Sequence, residues 1–344
     1  MNGDNTPPTP TYPDWAAIPA TGIGSLPGGS ADEAARTVAG ELPDLPHLAE
    51  LPARGVGADM IGRTVGLLVD VYAEVVPSGW RVTRLPGRDL QRARDFLAWD
   101  LDAAEAHYAG ANRVKIQVCG PWTLAAGLEV PSGNRALTDA GAVDDLADSL
   151  AEGVRQQLAE IRRRLPGSAV VVQVDEPGLP SVLRGSVPTA SGFGTVSAVD
   201  PVRAREVLAR LVAAAPEVAW VAHCCDRDAP LATFRAAGFT GLSIDITLLG
   251  TEAARLDPIG EAMEADAVLL AGLIGVQPDE RPLREIAAPL LDSWNRLGLS
   301  RSSLAAVVVT PTCGLAGADP AWATRAMARC TELGRALVDP PEGW

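Results

Sequence analysis

The feature that most restricts the fold of this chain is an alternation of short apolar runs with longer segments of helical periodicity. The apolar runs cover residues 114–118, 169–174, 218–222, 241–246, 267–274 and 305–310. Most of them are nearly continuous stretches of valine, leucine, isoleucine and alanine, whereas residues 114–118 and 241–246 include polar residues at alternate positions. This pattern is typical of parallel strands that are buried on both faces of a sheet.

Helical patterns lie between these runs. In residues 137–165 apolar side chains recur every three or four positions, and similar patterns cover residues 89–108, 201–214, 283–297 and 322–337. With a further apolar run at residues 17–24, roughly eight strands would alternate with helices. We therefore predict an α/β fold, a single (β/α)8 TIM-type barrel, rather than a doubly wound sheet.

The first third of the chain is less regular. Residues 1–14 contain proline, threonine and asparagine without periodicity, which predicts a flexible tail before a catalytic barrel over residues 15–344. Ser30 and Glu33 have the spacing of a helix capping box. Residues 41–62 predict a long irregular connection, followed by a helix over residues 63–74 and a short strand over residues 81–85.

The charge of the chain limits its partners. Its net charge of -14 and pI near 4.7 argue against nucleic acid or an anionic membrane, since both attract basic surfaces. No apolar run reaches the roughly 18 residues of a membrane span, and the N-terminus lacks the features of a secretory signal. We expect a cytoplasmic protein whose partners are small molecules or proteins. Five cysteines in a chain of this length indicate free thiols or metal ligands rather than a disulfide framework.

Polar residues that follow the predicted strands are the candidate functional residues, because barrel active sites form at the carboxyl ends of the strands. His223 and Cys225, two positions apart at the end of one strand, would face the same side, whereas Cys224 would face the other. Zinc binds histidine, cysteine and carboxylate side chains. The predicted zinc ligands are His223, Cys225, Asp245 and Cys313. The alternative is that the cysteines are core residues and the histidine is structural.

Four motifs carry a resemblance to a known family. Residues 21–27 read TGIGSLP, residues 173–177 read QVDEP, residues 223–225 read HCC, and residues 311–315 read PTCGL. In this order they resemble the C-terminal catalytic barrel of the cobalamin-independent methionine synthase family, within the superfamily that also holds uroporphyrinogen decarboxylase.

The resemblance implies a zinc-dependent methyltransferase of methionine biosynthesis, in which zinc binds homocysteine as a thiolate that then accepts a methyl group. It implies His223, Cys225 and Cys313 as zinc ligands, with Asp245 standing where the family has glutamate.

The resemblance also implies a site for the amino-acid end of the substrate. Asp175 would act at the catalytic site by holding the substrate amino group. The backbone of Ile23, Gly24 and Ser25 would bind the substrate carboxylate.

Departures from the family concern the methyl donor. The sequence holds one barrel, whereas the complete family enzyme has a second half that helps to bind polyglutamylated folate. The family's Tyr-Asp-Ile-His-Ser stretch is replaced by residues 275–279, GVQPD, and no His-Gly-Glu segment is found. We therefore expect a donor other than polyglutamylated folate, such as a methylated corrinoid protein.

Three other functions stay open from the sequence. They are a different zinc-dependent thiol alkylation such as epoxide opening, a metal-free lyase resembling uroporphyrinogen decarboxylase, and a non-catalytic zinc-binding or thiol-binding protein.

Overall fold

A computed structural model describes residues 13–341, so most of the predicted tail over residues 1–14 lies outside the described residues. Its helices are α1 Ala31–Glu41, α2 Met60–Leu67, α3 Arg88–His107, α4 Pro121–Gly127, α5 Ala140–Arg164, α6 Leu179–Arg184, α7 Pro201–Ala213, α8 Leu231–Ala236, α9 Ala253–Glu264, α10 Leu283–Leu297 and α11 Pro320–Val338. Its strands are β1 Tyr72–Val76, β2 Gly79–Thr83, β3 Arg113–Cys119, β4 Leu128–Glu129, β5 Ala169–Asp175, β6 Ala219–Cys224, β7 Gly241–Asp245, β8 Val268–Ile274 and β9 Val307–Pro311. Within the described range, no helix is long and apolar enough to span a membrane.

A parallel sheet of six strands forms the centre of the molecule, in the order β3-β5-β6-β7-β8-β9. Each of its strands overlaps one of the predicted apolar runs. The predicted α/β fold with a parallel sheet is therefore confirmed. The register places Asp175 of β5 beside His223 of β6, and His223 beside Ser243 of β7. The carboxyl ends of three neighbouring strands therefore carry polar side chains at one level.

Two extended segments continue the sheet at its edges through single bridges. Ala20 pairs with Val309 of β9, and His47 pairs with Lys115 of β3. A third bridge joins the two segments to each other, between Ser25 and Glu50. The predicted strand over residues 17–24 thus makes bridges rather than a regular ladder. Pro19 and Pro46 explain part of this irregularity, since proline has no N–H to donate.

The inner face of the sheet has an apolar floor below a polar layer. A cluster at the amino ends of the strands fills the floor; it contains Trp15, Ala16, Ile18, Leu45, Val171, Val221, Val268, Leu270 and Val308. Because side chains alternate along a strand, Gln173 and Asp175 follow Val171 on the same inner face. These two polar residues are buried. Buried polar side chains therefore lie near the carboxyl ends of the strands, and the apolar floor lies near their amino ends.

Helix α5 follows the predicted periodicity. Its buried face includes Val143, Leu146, Leu150, Val154, Leu158 and Ile161. It begins later than the predicted residue 137 because the Asp139 side chain accepts hydrogen bonds from the Gly141 and Ala142 amides.

The predicted helix over residues 63–74 is wrong in its second half. Helix α2 ends at Leu67, and the following residues form β1, which pairs antiparallel with β2. The run from Tyr72 to Val76 contains valines and a tyrosine, which favour a strand. The second strand of the hairpin begins at Gly79. This residue has a φ of 130°, which residues other than glycine rarely adopt. The strand predicted at residues 81–85 is found in this hairpin only up to Thr83, where β2 ends.

Helix α11 packs directly on one of the edge segments. A Cβ atom at Gly334 would overlap the carbonyl oxygen of Pro19, which accepts a hydrogen bond from the Val309 amide at 2.9 Å. We expect Gly334→Ala to lower the free energy of unfolding by about 1–3 kcal/mol, although alanine favours helices. Urea denaturation measures the change.

Gly40 of α1 provides the matched control, since a Cβ atom there meets no atom within 4 Å. We expect Gly40→Ala to be neutral or to stabilise the protein by up to about 1 kcal/mol. Equal effects of the two substitutions would contradict the proposed contact between α11 and Pro19.

Candidate active site

Three of the four predicted zinc ligands lie together at the carboxyl ends of the strands. His223 belongs to β6, Cys225 follows it directly, and Cys313 follows β9. Their ligand atoms all lie within 4.8 Å of one another, and the sulfur atoms of Cys225 and Cys313 are 3.5 Å apart. Cys224 is buried on the outer face of the sheet, as predicted. Residues 88 positions apart therefore form one compact group.

The geometry of this group fits a zinc ion. Tetrahedral zinc with Zn–S bonds of about 2.3 Å holds two sulfur atoms about 3.8 Å apart, close to the spacing found here. The Nδ1 atom of His223 lies 3.0 Å from Ser243 Oγ and 3.2 Å from the Ser243 carbonyl oxygen. Such a contact fixes the ring of a metal-binding histidine and leaves its other nitrogen available as a ligand.

The two thiols strongly influence each other's protonation. Their mutual hydrogen bond lowers the pKa of Cys313 to about 4, with a further contribution from His223, and raises the pKa of Cys225. The two sulfurs therefore titrate as a coupled pair rather than independently. A metal cation between them would interact favourably with both sulfurs as thiolates.

Asp245, the fourth predicted ligand, lies at the end of β7 but outside the compact group. Its Oδ1 atom accepts hydrogen bonds from the amide and the hydroxyl of Thr247, at 2.9 and 2.6 Å. Burial raises the pKa of Asp245, with a smaller raising effect from Cys313, while the Thr247 hydrogen bonds and His223 lower it. Among the described residues, the group of potential ligand atoms within 4.8 Å contains His223, Cys225 and Cys313 without Asp245.

The segment Ile23 to Ser25 lies at the same end of the sheet. The Leu315 amide donates a hydrogen bond of 2.7 Å to the Ser25 carbonyl oxygen, which ties this segment to the loop that carries Cys313. A Cβ atom at Gly24 would lie 2.9 Å from Nε2 of Gln117. A larger residue at this position would have to displace the Gln117 side chain.

Asp175 and Glu176 follow each other in sequence but have different environments. Asp175 accepts a hydrogen bond of 2.7 Å from Gln173 Nε2, and burial raises its pKa. Glu176 accepts hydrogen bonds from the Trp122 and Thr123 amides and from the Thr123 hydroxyl. Glu176 therefore anchors the start of α4, whereas Asp175 is the carboxylate of the inner face.

Glu50 is a second buried carboxylate, and the predicted site residues do not include it. Burial raises its pKa to about 7, with contributions from Arg63, which lowers it, and Asp175, which raises it. Arg63 Nε lies 3.6 Å from Glu50 Oε1. Although a His-Gly-Glu segment is absent, Glu50 supplies a carboxylate that interacts with Asp175. Its signal in the sequence is its position as an acidic residue within the mostly apolar segment over residues 45–51.

A comparison with protein families identifies the chain. The family model described as "Cobalamin-independent synthase, Catalytic domain" matches residues 18–335. The chain belongs to this family. The predicted resemblance to cobalamin-independent methionine synthase is thus confirmed.

A solved structure is similar over nearly the whole fold. It is a B12-independent methionine synthase from Shewanella sp. W3-18-1 in complex with selenomethionine, and it matches with a TM-score of 0.62 and 13% sequence identity. The match covers 94% of this chain and 98% of that chain. At this identity the likeness establishes a shared fold. No curated protein sequence matches the chain significantly.

We expect the purified protein to bind about one zinc ion per chain and the variants Cys225→Ser and Cys313→Ser to lose it. Serine cannot supply the thiolate that holds zinc in a mixed His-Cys site. Elemental analysis after dialysis measures the zinc content.

Cys224→Ser is the matched control, because Cys224 is adjacent to Cys225 but faces the outer side of the sheet. It should retain zinc, and Asp245→Ala should weaken zinc binding less than either cysteine variant does. Unchanged zinc content in both Cys225→Ser and Cys313→Ser would exclude the proposed site.

Proposed function

We propose that this protein is a zinc-dependent methyltransferase that transfers a methyl group to a small thiol, with homocysteine as the acceptor. The observation that carries the proposal is the convergence of His223, Cys225 and Cys313. The buried Asp175 lies beside His223 in the strand register, and Glu50 interacts electrostatically with Asp175. One group suits a thiol-binding metal, and the other suits an ammonium group. Homocysteine carries both a thiol and an ammonium group.

We also propose that the two edge segments act as the first two strands of a closed (β/α)8 barrel. The bridges lead from β9 through Ala20 to the first segment, from Ser25 to Glu50, and from His47 to β3. Each bridge is parallel. In this arrangement Ser25 and Glu50 come from neighbouring strand ends, which places the two halves of the amino-acid site side by side.

The amino-acid end of the acceptor is assigned to groups of this chain. The carboxylates of Asp175 and Glu50 would hold the substrate ammonium group by charge-assisted hydrogen bonds. The backbone of Ile23, Gly24 and Ser25 would bind its carboxylate. A structural relative holds selenomethionine, an α-amino acid, which is consistent with this assignment.

The thiol end of the acceptor is assigned to the metal group. His223, Cys225 and Cys313 would hold zinc, with Asp245 as an additional ligand or as the side chain next to the open position. When bound, zinc would favour the thiolate form of the substrate at neutral pH, since a free thiol has a pKa near 8.5. Ser243 would keep the His223 ring oriented through its contact with Nδ1.

The methyl donor is restricted by the chain itself. In place of the family's histidine-containing stretch it has residues 275–279, GVQPD, so we propose a donor other than polyglutamylated folate. Neither the described residues nor the comparisons support the expected corrinoid protein. A lyase that works without metal would leave the grouping of His223, Cys225 and Cys313 without a use.

We expect L-homocysteine to add one sulfur neighbour to zinc in the purified protein. The thiolate of the substrate would complete a tetrahedral site that the protein leaves open. Zinc-edge X-ray absorption, recorded with and without L-homocysteine, measures the number of sulfur neighbours. L-homoserine, which has a hydroxyl in place of the thiol, is the control. An unchanged spectrum with L-homocysteine would contradict the proposed acceptor.

We expect Asp175→Asn to raise the Kd for L-homocysteine by about tenfold or more, because the amide lacks the charge that pairs with the substrate ammonium group. Isothermal titration of the zinc-loaded protein gives the Kd. Glu176→Gln is the control, since Glu176 contacts α4 rather than the site, and it should alter Kd much less. Equal Kd values for wild type and Asp175→Asn would remove Asp175 from the proposed amino-group site.

A further inference from the structure

Lys115 is a fully buried lysine on the inner face of β3. Its Nζ atom donates hydrogen bonds to the Ile23 carbonyl oxygen at 2.9 Å and to Gln173 Oε1 at 2.7 Å. A lysine is rarely buried completely, because desolvation of the ammonium group is unfavourable. Burial accordingly lowers its pKa to about 7, while Asp175 and Glu50 favour the charged form. An apolar side chain of similar length would avoid the cost of desolvation, but it could not donate these two hydrogen bonds.

Gln173 extends the contacts of Lys115 to the acidic side of the site. Its Nε2 atom donates to the Ile23 carbonyl oxygen at 2.9 Å and to Asp175 Oδ1 at 2.7 Å. The amide has one acceptor oxygen and one donor nitrogen. Because Lys115 donates to the oxygen, the nitrogen must face Asp175 and Ile23. Lys115 therefore fixes the orientation of the Gln173 amide.

The two residues join both halves of the proposed amino-acid site. Ile23 begins the backbone segment assigned to the substrate carboxylate, and Asp175 is assigned to the substrate ammonium group. Lys115 donates a hydrogen bond directly to Ile23, and it is connected to Asp175 through Gln173. The amine can donate both of its hydrogen bonds in either protonation state, since even a neutral amine has two N–H groups.

We propose that Lys115 is a positioning residue that, through Gln173, sets the spacing between the carboxylate and ammonium subsites and so selects α-amino-acid thiols over simple thiols. This inference rests on the proposed function. Among residues 13–341, no hydrogen bond or ion pair joins Lys115 directly to His223, Cys225 or Cys313, so we expect its main effect at the amino-acid end of the acceptor.

The test compares two thiols in the zinc-loaded full-length protein. Lys115→Met keeps the length of the side chain but removes both hydrogen bonds. We expect its Kd for L-homocysteine to rise about tenfold, the loss that one or two hydrogen bonds produce. The Kd for 1-propanethiol, which has neither an amino group nor a carboxylate, should stay within about twofold, and the zinc content should not change.

Gln173→Met provides a second variant that leaves Lys115 in place, and it carries the same test if Lys115→Met does not fold. It should show the same selective loss for L-homocysteine. Equal weakening for both thiols, or loss of zinc, would assign Lys115 and Gln173 a purely structural role and overturn the inference. Unchanged binding of both thiols would overturn it as well.

The wild-type protein separates this inference from the proposed function. If wild type binds 1-propanethiol but not L-homocysteine, both the proposed acceptor and the inference are wrong. If wild type binds L-homocysteine with an affinity that neither substitution changes, the proposed function stands and the positioning role of Lys115 fails.

Discussion

The register between parallel strands is the constraint on which the site depends. Asp175, His223 and Ser243 occupy matching positions on β5, β6 and β7, so their side chains reach the inner face at one level. A slip of one residue between β5 and β6 would turn His223 towards the helices and move Cys224 to the inner face. The hydrogen-bonded ladder and the apolar packing on the outer face thus determine which cysteine can join Cys313.

The buried polar residues of the inner face have protein groups rather than solvent as hydrogen-bond partners. The apolar floor lies at the amino end of the sheet, and Lys115, Gln173 and Asp175 above it are joined by hydrogen bonds. Lys115 and Gln173 are both buried and both donate to the Ile23 carbonyl oxygen. Because a buried polar group without a partner is strongly unfavourable, this network allows only a narrow range of positions for the edge segment. Rigidity of the substrate site thereby follows from the need to satisfy buried donors.

The sequence predicted those parts of the site that follow from strand alternation and local spacing. His223 and Cys225 were assigned to one side and Cys224 to the other by the period of two, and the parallel sheet followed from the apolar runs. Glu50 and Lys115 were missed because their environment depends on contacts between distant segments: Lys115 reads as a single polar residue inside a strand. The hairpin of β1 and β2 was missed because a helical pattern was extended beyond Leu67.

The charges of the site explain why it should bind a metal and an ammonium group together. Glu50, Asp175 and the two thiols place several acidic groups in a buried region, where Lys115, Arg63 and His223 are among the basic residues that interact with them. Burial raises the pKa values of both carboxylates because a charge is poorly stabilised away from water. A bound divalent cation and a substrate ammonium group would supply the missing positive charge. In this scheme the cationic ligands stabilise the ionised forms of acidic groups, which burial alone disfavours.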